Sequence, residues 1–292
     1  MGGRVSKVGL EVSNTVGTLY VVATPIGNRD DITLRAIETL RRVDRIIAED
    51  TRHSRPLLNH LGIQRPMLAL HEHNEDEAAR RIVSHLQAGE SLALISDAGT
   101  PLISDPGFPL VRACREQSID VVPIPGPSAL IAALSVSGLP TDRFRFEGFL
   151  ARRQQARVGR LEGLRHETAT LVFYESSHRV CETLEDLVTV FGDERPAVLA
   201  RELTKLYETI VAMPLAALRD AVAADENQRR GEFVLLVAGM PADVEGQTGE
   251  LDALLGILMG ELPLKQAATL AARISGARKN RVYQRALELG RE

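Results

Sequence analysis

Short apolar and β-branched runs recur along the chain, separated by stretches of helical period. Residues 18–24 (TLYVVAT), 45–50 (RIIAED), 66–71 (PMLALH), 91–96 (SLALIS) and 119–124 (IDVVPI) each have strand length and composition. Between them, Leu34, Ile37 and Leu40 fall on one helical face, and Ala78, Ile82 and Leu86 form a second stripe that Gly89 ends. Asn74 and Glu77 are spaced as an N-cap and its box partner, and 56–62 (PLLNHLG) fits a short helix stopped by Gly62. This β-α-β-α rhythm predicts a parallel sheet covered on both faces.

Prolines on both sides of Gly126 make 123–129 (PIPGPSA) a rigid joint, and a proline cannot continue a central strand. A second alternating series follows: 143–150 (RFRFEGFL), a basic helix, 170–176 (TLVFYES), a helix near 177–190, 196–202 (PAVLARE) and 231–239 (GEFVLLVAG). Residues 240–250 (MPADVEGQTGE) suit a linker, and 250–292 carry only helical periodicity. The expected organisation is a loose tail over 1–17, α/β domains over 18–125 and 126–240, and a helical appendage over 250–292. A length of 292 residues with 44% hydrophobic and 25% charged positions accommodates two such cores. No apolar run reaches the roughly 18 residues of a membrane span, and the N-terminus lacks a signal-peptide h-region. Cys114 and Cys181 lie far apart on helical stretches, which reads as buried thiols in a reducing, cytoplasmic setting.

The net charge of −4 provides no general attraction for nucleic acid, but its distribution is uneven. Six Arg against two Glu lie between Arg145 and Arg165, and six basic residues against one Glu between Arg273 and Arg291. Either run alone is an ordinary solvated face; together they favour a polyanionic partner.

Parallel sheets bind ligands beyond the carboxyl ends of their strands. Those ends read TPIGN (24–28), EDTRHS (49–54), HEHN (71–74) and SDAGTPLISDPG (96–107). The last is longer than an ordinary connection, and Ser96, Ala98 and Gly99 allow close approach to backbone. Asp97 is placed to accept hydrogen bonds from hydroxyls or an amine. Asp105-Pro106 reads as an N-cap followed by Pro at the first helical position. Glu49 lies 22 residues past Gly27, near where a dinucleotide fold holds its ribose. TPIGN nevertheless lacks the G-x-G-x-x-G cradle, so a nicotinamide cofactor is not expected. His71 and His73 flank Glu72 without a third ligand nearby, and no metal is expected.

The ordered motifs YVVATPIGNRDDITLRA, IIAEDTRHSRPLL, SDAGTPLISDPG, IPGPSA, FYESSHR, ARELTK and GEFVLLV resemble the tetrapyrrole methylase superfamily, in its branch of small-subunit ribosomal RNA methyltransferases. The likeness runs from Thr18 to Gly239, and the basic tail resembles that branch's C-terminal helix-turn-helix. It implies two α/β domains with S-adenosylmethionine held in the cleft between them, a homodimer, and 2′-O-methylation of a cytidine in the decoding region of 16S rRNA. By position, it implies a cofactor pocket of Pro25, Ser96, Asp97, Ala98, Ile103, Ser128 and Ala129, completed by Tyr174 and Leu203. Glu49 matches the strand-end acid that takes a proton in tetrapyrrole relatives, with Asp50, His53, Glu175 and His178 as other candidate bases. Arg52, Arg179 and Lys205 are candidates for supplying a cationic field to that base or for holding RNA phosphates, and Arg278, Lys279 and Arg281 in the appendage are further candidates for phosphates. A small-molecule tetrapyrrole methylase would share fold and cofactor but has no need of the basic tail. A non-catalytic RNA-binding protein on the same scaffold would have no need of the Asp97 loop or Glu49.

Overall fold

The computed structural model describes residues 16–71, 75–241, 244–277 and 279–289. The Asn74 cap, Glu72, His73, Arg278 and most of the N-terminal tail lie outside them. The chain divides after Ala238 into two compact units.

The first unit contains two five-stranded sheets. Strands β1 (Leu19–Val22), β2 (Arg45–Ala48), β3 (Met67–Ala69), β4 (Leu92–Ile95) and β5 (Val121–Ile124) form an all-parallel sheet ordered β3-β2-β4-β1-β5. Pro123 sits in β5, which is an edge strand, where its missing N–H costs no ladder bond. Leu19, Ile47, Leu92 and Leu94 bury one face under α3 (Glu75–Gln87) and α4 (Phe108–Glu116). Val22, Ile46 and Ile95 bury the other under α1 (Leu34–Arg42) and α2 (Thr51–His60). The doubly covered parallel sheet is the one the apolar runs predict. Helix α2 is longer than expected, because Asp50 caps it at 51 and Pro56 is carried inside it.

The second sheet is mixed, with order β6-β7-β10-β8-β9. Its strands are β6 (Phe144–Phe149), β7 (Thr170–Ser176), β8 (Pro196–Arg201), β9 (Thr209–Pro214) and β10 (Glu232–Val237). Only the β6/β7 pair is parallel; β10 runs antiparallel to β7 and β8, and β9 antiparallel to β8. Leu171, Phe173, Leu199 and Leu235 face α6 (Gln154–Glu162), α7 (Val180–Phe191) and α8 (Leu215–Ala224). Val172, Val198, Val234 and Leu236, on the other face, pack against Leu130, Ala133 and Leu134 of α5 (Ala129–Val136) and against Ile26. Helix α5 thus couples the PGPSA joint to the second sheet.

The arginine run between 145 and 165 is not a free basic face. Arg157 is buried and donates from Nε to Asp186 at 2.5 Å, while Gln154 donates to the other carboxylate oxygen at 3.0 Å. Arg145 pairs with Glu147 and Glu167, Arg160 with Glu147, and Arg165 with Glu162. Four of the six guanidiniums are therefore paired with carboxylates, one of them buried and three at the surface, so this stretch is not a run of unpaired positive charge.

In the second unit, α9 (Val244–Glu261), α10 (Leu264–Ser275) and α11 (Lys279–Leu289) enclose Leu251, Leu255, Ala268, Ala271, Val282 and Ala286. Helix α9 begins inside the expected linker, so residues 244–250 are helical. Gly276, at φ 71°, ends α10 in the left-handed conformation that suits glycine, and α11 follows within a few residues. Arg285 makes a bidentate pair with Asp252, both bonds 2.7 Å, and is not offered to a ligand. Among the described residues no helix is long and apolar enough to cross a membrane.

Candidate active site

The loop from Ser96 to Gly107 leaves the carboxyl end of β4 in an unusual backbone path. Gly99, Leu102, Ser104 and Gly107 all have positive φ, and at Leu102 (72°) and Ser104 (70°) this is a strained geometry for a side chain. The surroundings hold it there. Thr24 and Gly99 exchange backbone hydrogen bonds of 2.8 and 3.1 Å, the Ser96 hydroxyl donates back to the carbonyls of Ala98 and Gly99, and Thr100 Oγ1 donates to the Pro127 carbonyl at 2.9 Å. The Gly107 N–H donates to Glu75 at 2.7 Å. The Ser96 bonds brace the loop internally, and the others tie it to Thr24, Pro127 and α3, so the path is over-determined.

This loop forms one wall of a cavity of about 540 Å³, within the range of small-molecule sites. Asp97, Ala98, Ile103, Ser128, Ala129, Tyr174 and Leu203 all line it, as does Glu49 at the end of β2. Two expected members are displaced. Pro25 is not among the lining residues, and its neighbour Ile26 is; Ser96 is buried behind the wall, where its hydroxyl braces the loop. Ser128 is the N-cap residue of α5 without a side-chain cap bond, and Tyr174 Oη accepts from the Leu130 N–H at 3.1 Å.

The other candidate bases separate clearly. Asp50 caps α2, accepts from the Arg52 N–H at 2.8 Å and pairs with its guanidinium at 3.0 Å; those bonds hold its carboxyl at about 2. Arg52 is correspondingly engaged by Asp50. His53 and His178 are exposed and do not line the cavity. Glu175 does line it but is only 2% exposed, and its carboxylate is saturated. Oε1 accepts from the Ser176 N–H at 2.8 Å, and Oε2 from Thr183 Oγ1 at 2.6 Å and Arg179 Nη2 at 3.0 Å. Glu175 and Arg179 are thus a structural bracket, and neither an acceptor for a substrate proton nor a phosphate ligand. Lys205 lines the cavity, with Nζ 2.9 Å from Glu202 and 2.7 Å from Glu232.

Asp105 is the principal residue that sequence reasoning misplaced. Helix α4 starts at Phe108 with Gly107 as its N-cap, so Asp105 is no cap; it faces the cavity and the smaller space behind it that Glu49 also lines. Desolvation pushes its carboxyl up to about 6, with the Glu49 and Asp97 carboxylates adding to the rise against a hydrogen bond from Ser96. A carboxyl raised in the folded state contributes stability that is fully present below its unfolded value near 4 and is lost as pH rises through about 6. Asp105→Asn, which cannot ionise, is therefore expected to melt with the parent near pH 4 and above it at pH 7 to 8. Melting curves across that range check this, and a difference independent of pH would contradict it.

Residues 18–219 match the family model of the Tetrapyrrole (Corrin/Porphyrin) Methylases, and residues 245–290 that of the RsmI C-terminal HTH domain. Ribosomal RNA small subunit methyltransferase I of Pseudomonas aeruginosa is 58% identical over 276 residues, covering 94% of this chain and 98% of that protein. Its namesake in Escherichia coli O157:H7 is 53% identical over 275 residues, 94% of this chain and 96% of that one. The chain belongs to the tetrapyrrole methylases, in the ribosomal RNA small subunit methyltransferase I family. Solved structures share the fold at low identity. Uroporphyrin-III C-methyltransferase from Thermus thermophilus, complexed with S-adenosyl homocysteine, aligns with TM-score 0.53 at 19% identity over 75% of this chain and 97% of its own. Diphthine synthase aligns with TM-score 0.58 at 14% identity over 76% and 90%.

Proposed function

We propose that this protein transfers a methyl group from S-adenosylmethionine to the 2′-oxygen of a cytidine in the decoding region of 16S rRNA. The observation that carries the reading is a single cavity in which a strained small-residue loop meets Glu49, Asp97 and Asp105, in a chain 58% identical to a ribosomal RNA methyltransferase. The residues present fit the cofactor. Ala98, Gly99, Ser128 and Ala129 let a ligand reach the backbone, Asp97 offers acceptors for ribose hydroxyls or an amine, and the acidic wall complements a cation.

When bound, the cofactor supplies a methyl on a sulfonium, a leaving group that needs no protonation. The chain's own work is alignment and proton removal. The cavity walls would hold the ribose and the cofactor against each other, and such alignment can account for several kcal/mol of barrier. Glu49, on the cavity wall at the end of β2, is the carboxylate that would take the hydroxyl proton; the bound cofactor would supply the methyl group and depart as a neutral thioether. Lys205 lies in the same wall with its charge balanced by Glu202 and Glu232.

Specificity for RNA comes from the appendage on this reading. Lys279 is exposed at the first position of α11, beside Arg278 and Arg281 in sequence, and basic residues at such a helix start reach phosphates without reading bases. The protein acts in the cytoplasm as a homodimer; exposed Leu206 and Tyr207, which precede edge strand β9, suit a second copy. Replacing Arg278, Lys279 and Arg281 by Ala is expected to weaken binding to small-subunit rRNA and to flatten its log-log salt slope by about 2 to 3 units. Cofactor affinity should be unchanged. Undiminished RNA affinity and slope, with dissociation into monomers, would make the appendage an assembly element. Methyl transfer to a porphyrinogen and none to rRNA would install the small-molecule reading instead.

A further inference from the structure

Strand β6 is interrupted where it reaches the cavity. It pairs in parallel with β7 through Phe144, Arg145 and Phe146, then skips one residue and resumes at Gly148 and Phe149, opposite Phe173 and Tyr174. Glu147 is the extra residue of a β-bulge. In an uninterrupted strand, Phe149 would alternate onto the face opposite Phe146 and point towards the covering helices. The single insertion reverses that alternation, so Phe146 and Phe149 share the face of Val172 and Tyr174. Ring geometry agrees. Phe146 and Tyr174 meet edge to face with centroids 4.8 Å apart, and Phe149 meets the same tyrosine at 5.6 Å and 63°.

The bend that permits this rests on Gly148 at φ 63°, where a β-carbon would lie 3.2 Å from Ser104 Oγ of the strained loop. The residue after Phe149 is clamped as well: the Leu150 carbonyl accepts from Arg179 Nη2 at 2.8 Å, and the same nitrogen lies 3.0 Å from Glu175. The buried Glu175–Arg179 bracket therefore anchors the backbone immediately after Phe149. Despite this support, the ring is 56% exposed and lines the cavity. A bulge, a left-handed glycine and an ion pair on the buried Glu175 together hold a large aromatic half open to solvent, which a simple packing role would not require.

We infer that Phe149 is the stacking platform for the base of the target nucleotide, a pyrimidine on the proposed reading, presented at the rim of the cavity while its ribose enters. This inference rests on the RNA-methylating function proposed above. An enzyme acting on one nucleotide must withdraw it from its stack, and an aromatic face compensates for the stacking lost. The cofactor is assigned the small-residue loop and the α5 start, with Tyr174 and Leu203 completing its pocket, whereas Phe149 stands one strand further out than Tyr174, on edge strand β6. The 63° contact with Tyr174 orients the ring without stacking on it, which leaves at least one face for a base.

The test compares Phe149→Ala, Phe149→Leu and Phe149→Trp with the parent, using unmethylated small ribosomal subunits and S-adenosylmethionine. Base stacking of roughly 1–3 kcal/mol corresponds to a 5- to 150-fold loss of kcat/KM for the subunit in the Ala variant, carried chiefly by KM. Leu, apolar but without a π-face, should lose nearly as much, and Trp should stay within about threefold of the parent. Calorimetry should give all three the parent's affinity for S-adenosylmethionine. The chain contains no tryptophan, so Phe149→Trp is also a single fluorescent reporter, and S-adenosylhomocysteine should leave its emission unchanged. A fully active Leu or Ala variant, a parallel loss of cofactor affinity, or quenching by S-adenosylhomocysteine would each overturn the inference. Failure of the parent itself to methylate the subunit would instead remove the functional reading on which it rests.

Discussion

Glu49→Gln is expected to lower the methyl-transfer rate by roughly 10²- to 10⁴-fold while cofactor binding persists. The substitution preserves shape and removes only the proton acceptor. Glu49 follows directly on β2, and it borders both the main cavity and the smaller space behind it, where Ser96 and Asp105 also lie. The competing acids are accounted for by geometry. Asp50 is bound as a helix cap, and every polar oxygen of Glu175 already accepts a hydrogen bond. Asp105 is the remaining neighbour with proton affinity near neutrality. Single-turnover rates of Glu49→Gln and Asp105→Asn decide between them. A Glu49→Gln rate within a few-fold of the parent, with Asp105→Asn nearly inactive, would transfer the role to Asp105.

Asp97→Ala is expected to abolish most of the thermal stabilisation by S-adenosylmethionine. A ligand at 100 times its Kd stabilises by about 2.7 kcal/mol, which for a unit of this size raises Tm by roughly 5–10 °C. Asp97 faces the cavity, and one of its oxygens also accepts from the Asp50 N–H at 3.4 Å, a weak contact whose loss leaves the fold intact. Differential scanning fluorimetry with and without cofactor gives the answer. A full shift in the folded variant would remove Asp97 from the binding wall.

The parallel sheet was legible because its strands are continuous apolar runs separated by turn residues, so Leu19 to Val22 or Leu92 to Ile95 have no competing period. Strand β9 was not. Its residues Thr209 to Pro214 alternate only between half-buried and exposed positions, and the sequence runs straight into α8 without a break in apolar character. The cavity's small-residue wall could be located from strand ends alone. What escaped was set by backbone geometry without a periodic signature. Left-handed φ at Leu102 and Ser104 carries Asp105 into the cavity instead of onto a helix cap, and one inserted residue, Glu147, turns Phe149 onto the cavity face. Partner capture is equally invisible along the chain. Thr183 and Arg179, both brought up by α7, convert Glu175 from a plausible base into a saturated anchor.

The function proposed for this chain is methyl transfer to a ribose oxygen of a small-subunit rRNA cytidine. Nuclease digestion and mass spectrometry of small-subunit rRNA from a strain lacking the gene, before and after incubation with the purified protein and S-adenosylmethionine, tests it directly. One decoding-region cytidine is expected to gain a single methyl, located on the ribose by nucleoside fragmentation, with no gain when Glu49→Gln is used for the same short time. Methylation on a base, or rRNA left unmodified by an enzyme that demonstrably binds the cofactor, would contradict it.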